Sequence, residues 1–187
     1  HISVHEDDSD IVKHLADCGV DAIFRLPKWR KGKCANVVID PTFRVLDDDG
    51  VGVASCGSSR FAILLRKFDL LCNKHVPMAY LRADREQRLD LVRGLMDSDG
   101  SCIRDGSRCE FGNTDKGLVD AMVELLRSLG YKPVQYCTPA KTKFIHGRES
   151  TSRKAWRVSW TAYKEEPMFR LERKVSRMAS IENARLW

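Results

Sequence analysis

Two aspartates, Asp97 and Asp99, close a segment whose apolar residues recur with helical spacing. Asp84 and Arg85-Glu86 supply helix-start chemistry, Leu89, Val92, Leu95 and Met96 share one face, and Ser98-Asp99-Gly100 marks the end. Carboxylates at a helix C-terminus face the negative end of its dipole, a conflict of about 0.3–1 kcal/mol that a bound cation would relieve. A D-x-D-G turn also ends helices with no ligand at all, so the pair alone has two readings. Gly94 lies inside the same helix, where glycine costs roughly 1 kcal/mol relative to alanine. The backbone of a second helix approaching there would explain it.

A second chemistry is carried by cations. Arg25, Lys28, Arg30, Lys31 and Lys33 surround Gly32, and Lys141, Lys143, Arg148, Arg153, Lys154 and Arg157 flank Gly147. Each group sits in a strand-rich stretch, the first leading into Cys34–Ile39 and the second into Trp156–Thr161. In the latter, Trp156, Val158 and Trp160 share one face and Arg157, Ser159 and Thr161 the other. Such a strand suits a sheet with helices behind it and a polyanion in front. One basic hairpin is most simply a solvated surface; two at matching places favour nucleic acid.

The elements that must position these residues repeat. Ile2–His5 and Cys109-Glu110-Phe111 are strand-like, and Asp8-Ser9-Asp10 and Thr114-Asp115 offer helix caps. Ile11, Val12, Leu15 and Ala16 form one helical stripe, and Leu118, Met122, Leu125, Leu126 and Leu129 another, ending at Gly19 and Gly130. Asp8 matches Asp115, and Ile11-Val12 matches Leu118-Val119, both at an offset of 107 residues (115 − 8).

Composition bounds the rest. The chain has 187 residues, 43% hydrophobic and 31% charged, with a net charge of +6. That is the balance of a globular domain with a mild excess of positive charge. The longest apolar run, Phe61–Leu65, falls far short of the roughly 20 residues of a membrane span, so no membrane partner is expected. Seven cysteines at wide spacing, none in a C-x-x-C pair, support neither a disulfide framework nor a zinc site and point to an intracellular location. Asp47-Asp48-Asp49-Gly50 lacks calcium-loop spacing and reads as a loop. The start at His1, with no signal-peptide pattern, reads as an internal piece of a longer protein.

Val92–Gly100 resembles the LAGLIDADG signature of homing endonucleases, in the form carried by inteins. Five of nine positions are identical: Gly94, Leu95, Asp97, Asp99 and Gly100. Lys74-His75-Val76-Pro77 is similar to the family's K-x-[IV]-P segment, with its lysine 25 residues before Asp99 (99 − 74). Arg85–Arg88, Leu126–Gly130 and Phe169–Lys174 resemble further family segments.

The resemblance implies an α+β fold of two pseudo-symmetric halves, each with antiparallel strands forming a DNA-binding saddle and helices behind. Residues 1–83 would be the remainder of the first half, and 84–187 the second half beginning with its motif helix. By position Asp99, with the carbonyl of Ser98, would bind Mg²⁺ or Mn²⁺. Lys74 would lie near the scissile phosphate, and Lys174 is the candidate counterpart in the second half. Asp97 would help the helix end and pack, and Gly94 would serve packing between motif helices. Arg25, Lys28, Arg30, Lys31 and Lys33 would contact duplex DNA on one side; Lys141, Lys143, Arg148, Arg153, Lys154 and Arg157 would do so on the other. Subtracting the offset of 107 from Asp99 places a first motif upstream of His1. A flanking splicing domain or upstream segment is therefore an expected partner. The implied function is site-specific double-strand cleavage by an intein endonuclease. The alternatives are an inactive nucleic-acid-binding module, maturase-like or regulatory, and a structural insert supporting a splicing domain.

Overall fold

The structure is a computed structural model that describes residues 2–5, 8, 10–17, 22–25, 34–39, 65–103, 106–145 and 148–183. Lys28, Arg30, Lys31, Lys33, Gly19 and the acidic run at 47–49 lie outside the described residues. The chain divides into two compact units, His1–Asn73 and Lys74–Trp187.

In the first unit, strand β1 (Ile2–His5), helix α1 (Asp10–Asp17), strand β2 (Ala22–Arg25) and strand β3 (Cys34–Ile39) follow in order. The Asp8 carbonyl accepts from Ile11 N–H at 3.2 Å as the chain enters α1. The sheet order is β1-β3-β2, so the last strand is central and antiparallel to both neighbours. Arg25 ends β2, opposite Asn36.

The second unit opens with a short helix, α2 (Met78–Leu81), and the long helix α3 (Arg85–Asp99). Asp84 caps α3, its carboxylate accepting from Gln87 N–H at 2.8 Å. Strands β4 (Gly100–Ile103) and β5 (Arg108–Asn113), helix α4 (Lys116–Ser128) and strand β6 (Val134–Thr138) follow. A two-stranded ribbon, β7 (Thr142–Ile145) and β8 (Arg148–Thr151), precedes β9 (Ala155–Thr161), and helix α5 (Glu172–Val175) lies near the end. The main sheet runs β4-β5-β9-β6, all antiparallel.

The repeat seen in the sequence is thus a repeat of topology. Strand β5, helix α4 and strands β6 and β9 reproduce β1, α1, β2 and β3, again with the last strand central. Strand β4, the direct continuation of α3, adds an edge. The architecture is α+β, an antiparallel sheet backed by helices, as the alternation of strand and helix patterns predicts.

Burial follows the periodicities. Leu89, Val92 and Met96 of α3, and Leu118, Val119, Met122, Val123, Leu125 and Leu126 of α4, are buried. They pack with Cys109, Phe111, Val158 and Trp160 from one face of the sheet. Asp115 caps α4 through Gly117 and Leu118 N–H, and Gly130, at φ +92°, turns the chain after its last turn. Gly94 stands apart from this packing. It is exposed, and among the described residues nothing lies within 4 Å of where its Cβ would stand. Within this unit α2 and α4 pack on α3, and neither covers that glycine's side.

Candidate active-site cleft

Asp99 is the last residue of α3, and Gly100 turns the chain at once into β4. Gly100 is required by close approach: a Cβ there would lie 2.4 Å from Met96 Sδ and 2.7 Å from Met96 Cα. The helix end is therefore tied tightly to the first strand residue, and Asp99 is placed at the edge of the sheet.

Lys74, Asp99 and Arg157 line one open cleft of about 380 Å³, together with Glu110 and Asn113. Lys74 is exposed, and its position comes from its neighbours. Val76 is half-buried against the core. Pro77 opens α2, its carbonyl accepting from Tyr80 and Leu81 N–H at 3.0 and 3.4 Å. The K-x-[IV]-P spacing is thus an anchor, a helix start, and a lysine held three residues before it. Asn113 Nδ2 donates to Asp99 Oδ2 at 3.2 Å, joining the end of β5 to the end of α3.

The cleft floor is the polar face of the sheet. Register places Glu110 of β5 opposite Ser159 of β9, with Arg157 opposite Tyr136 of β6. The Glu110 carboxylate accepts from both the Arg157 guanidinium and the Tyr136 hydroxyl. Arg108 Nη2 donates to Ser159 Oγ at 2.9 Å. The expected alternation along β9 holds, but the polar face is not simply solvated: Glu110 is only 8% exposed and Ser159 3%. Gly112 gives Arg157 room, since a Cβ there would stand 3.3 Å from Arg157 Cγ. Glu110, Arg108, Tyr136 and Asn113 were missed by the sequence reading. The signal for Arg108 and Glu110 was the two-residue period of β5, read there only as a strand.

The two motif aspartates have different surroundings. Asp97 does not line the cleft. Its carboxylate accepts from Arg170 N–H at 3.1 and 3.2 Å and from Leu171 N–H at 3.3 Å. Lys174 does not line it either, although the resemblance pairs it with Lys74 as a catalytic lysine. Its ammonium is buried and donates to the carbonyls of Met96 at 2.9 Å, Asp97 at 2.7 Å and Gly100 at 2.9 Å. An ammonium of the chain itself therefore stands at the negative end of the helix dipole. Arg93, which departs from the signature, donates to the Pro167 carbonyl at 3.0 Å and pairs with Asp90.

The other predicted contact residues are dispersed. Lys154 is exposed, with its ammonium 4.9 Å from the centroid of the Trp156 ring. Arg153 is exposed. The Lys141 backbone closes the base of the β7–β8 ribbon, its carbonyl accepting from Ser152 N–H at 2.9 Å. Within the ribbon Lys143 pairs in register with Ser150, and Arg148 with Ile145. Among the described residues no group of three or more His, Cys, Asp or Glu side chains could hold a metal by itself. No described helix is long and apolar enough to cross a membrane.

No protein-family model matches the chain. It is similar to a replicative DNA helicase DnaB of Mycobacterium intracellulare, 37% identical over 110 residues, or 59% of this chain and 18% of that protein. The chain thus corresponds to about a fifth of the length of that relative. A solved structure of I-DmoI in complex with DNA and Mn aligns with a TM-score of 0.40 at 12% identity, over 88% of this chain and 75% of that one.

Proposed function

We propose that this chain is the DNA-cutting portion of an intein, a site-specific homing endonuclease that hydrolyses phosphodiesters with a divalent metal ion. The observation that carries this reading is the convergence of Lys74, Asp99 and Arg157 on one cleft at the end of the helix bearing the LAGLIDADG-like sequence. The position of Asp99 in that signature adds support. So does the match to one stretch of a protein named as a DnaB helicase, the pattern expected if such an element is inserted in a helicase gene.

The donor chemistry fits Mg²⁺ or Mn²⁺. An exposed carboxylate, Asp99, with the Ser98 carbonyl beside it, offers hard oxygen ligands. Mg²⁺ is commonly held by only one or two carboxylates, completed by water and substrate phosphate. When bound, such an ion supplies an activated water and offsets charge on the phosphate. Asn113 orients one oxygen of Asp99. Lys74, on the same cleft wall, neutralises negative charge developing on the phosphate. Arg157, held by Glu110, faces the duplex beside them. The remaining cations position the backbone or read base edges, for which arginine to guanine is the commonest pairing.

The exposed side of α3 at Gly94 is where a second motif helix, from a flanking segment, would lie. Cys72, Cys102, Cys109 and Cys137 form no disulfide, in keeping with an intracellular setting.

The test is cleavage of the uninterrupted host-gene site by the full-length parent protein, with Mg²⁺ and with EDTA. A replicative helicase gene is the first candidate host. Mg²⁺-dependent double-strand cutting that is lost in Asp99→Asn, with DNA binding retained, is the expected result. Tight binding with no cutting by the unaltered protein would instead identify an inactive binding module.

A further inference from the structure

We propose that Lys174 is a positioning residue for Asp99, its buried ammonium fixing the junction between the long helix and strand β4 on which that carboxylate stands. The inference rests on the endonuclease reading for its functional consequence, and on geometry alone for the anchoring.

The last four carbonyls at an α-helix end have no partner within the helix, and for α3, where the C-cap Gly100 N–H takes the Met96 carbonyl, these belong to Asp97, Ser98, Asp99 and Gly100. Lys174 Nζ takes two of them, Asp97 and Gly100, the first residue of β4, and adds a second donor to Met96. One ammonium therefore ties the final helical turn to the strand that follows. The Ser98 carbonyl, the one expected to face a cation, is not among its acceptors.

The tie is reciprocal. The Asp97 carboxylate accepts from Arg170 and Leu171 N–H, which precede α5, and α5 carries Lys174 back to the end of α3. Each element thus holds the other by a charged group. Burial strengthens the hold, because an ammonium at 9% exposure has no comparable alternative in water. Phe169, with its ring 5.5 Å from Nζ, closes one side. In the D-x-D pair, Asp97 fastens the junction and Asp99 is what the junction presents.

Two measurements on the full-length protein test this, using Lys174→Met, which keeps chain length and removes charge and donors, and Lys174→Arg. In backbone hydrogen exchange, Lys174→Met is expected to lose at least tenfold protection at residues 97–103, with β5 and β9 changed less than twofold. In cleavage, it is expected to need at least tenfold more Mg²⁺ for half-maximal rate, with DNA affinity in EDTA within twofold of the parent. Lys174→Arg, which keeps the charge on a planar fork unsuited to three converging carbonyls, is expected to fall between.

Unchanged exchange at the junction overturns the anchoring whatever happens to cutting. Loosened exchange with an unshifted Mg²⁺ requirement makes Lys174 merely structural and overturns the positioning role. A fall in maximal rate with unshifted Mg²⁺ requirement and unchanged exchange would return Lys174 to the catalytic role implied by the resemblance. If the parent itself fails to cut, the endonuclease reading fails, and hydrogen exchange still decides the anchoring. If Lys174→Met does not fold, Lys174→Arg carries both measurements: changes in the same directions are expected, and no change in junction exchange or in Mg²⁺ requirement overturns the proposal.

Discussion

Glu166 accepts from the Tyr131 hydroxyl and, at 2.6 Å, from the Arg85 guanidinium. Burial works against its charge, but those hydrogen bonds outweigh it and hold the carboxyl below its ordinary value. Burial and the same carboxylate push the Tyr131 hydroxyl up. A carboxyl depressed by folding adds stability that is fully present above the ordinary glutamate range, about 4.3, and is lost as pH falls through the lower folded value. The melting temperature of Glu166→Gln is therefore expected below that of the parent at neutral pH, with the gap narrowing in acid. Melting curves across that range check it, and a gap constant with pH would remove Glu166 from the account. Residue type was legible in the sequence here, but partnership was not: Arg85 and Glu166 are 81 positions apart.

At the scale of elements, the helices were legible because their signals are local. Asp84 and Asp115 stand where cap chemistry is needed, and both carboxylates accept backbone N–H groups of the first turn. Replacing Asp115 by Ala is expected to destabilise the second unit by about 1 kcal/mol, within the usual range of about 0.5–2 for such caps. Urea denaturation would measure it, and an unchanged midpoint would mean that the α4 start is held by packing alone. The stripe Leu118, Met122, Leu125 and Leu126 is buried as its spacing predicts. Gly94 was not legible in the same way, since a glycine inside a helix says that a side chain is absent, not what occupies the space. Lys174 is the sharper case. A lysine in a short basic helix looks like a surface charge, and only the folded chain carries it to carbonyls some 74 to 78 residues away.

At the scale of the molecule, the two units share one topology, a strand, a helix and two strands with the last strand central. In the second unit the sheet buries an apolar face against α3 and α4 and turns Arg108, bonded to Ser159, and Arg157, paired with Glu110, to the other side. If that side meets duplex DNA, log affinity is expected to fall linearly with log salt, by about 0.9 per phosphate neutralised. Fluorescence anisotropy of a labelled duplex across a salt series gives the slope. Replacing Arg153 and Lys154 together by Ala is expected to flatten it by up to about 1.8, the value for two contacts. A complex insensitive to salt would overturn the polyanion reading.

By itself the sequence determined what depends on near neighbours along the chain. That includes the helix limits at Asp84 and Gly100, the repeat at an offset of 107, the two-faced strand from Trp156 and the D-x-D-G end of the long helix. These are matters of period, cap and turn, fixed within a few residues. The tertiary structure alone decided which charges meet. It separated Asp97, spent on Arg170 and Leu171 N–H, from Asp99, which lines the cleft with Lys74. It buried Glu110 under Arg157 and Tyr136, and it moved Lys174 from a presumed cleft lysine to the end of a helix. The reason is physical. A hydrogen bond or an ion pair acts over a few ångströms, and which side chains come that close is set by how the sheet and helices pack, not by their order in the chain.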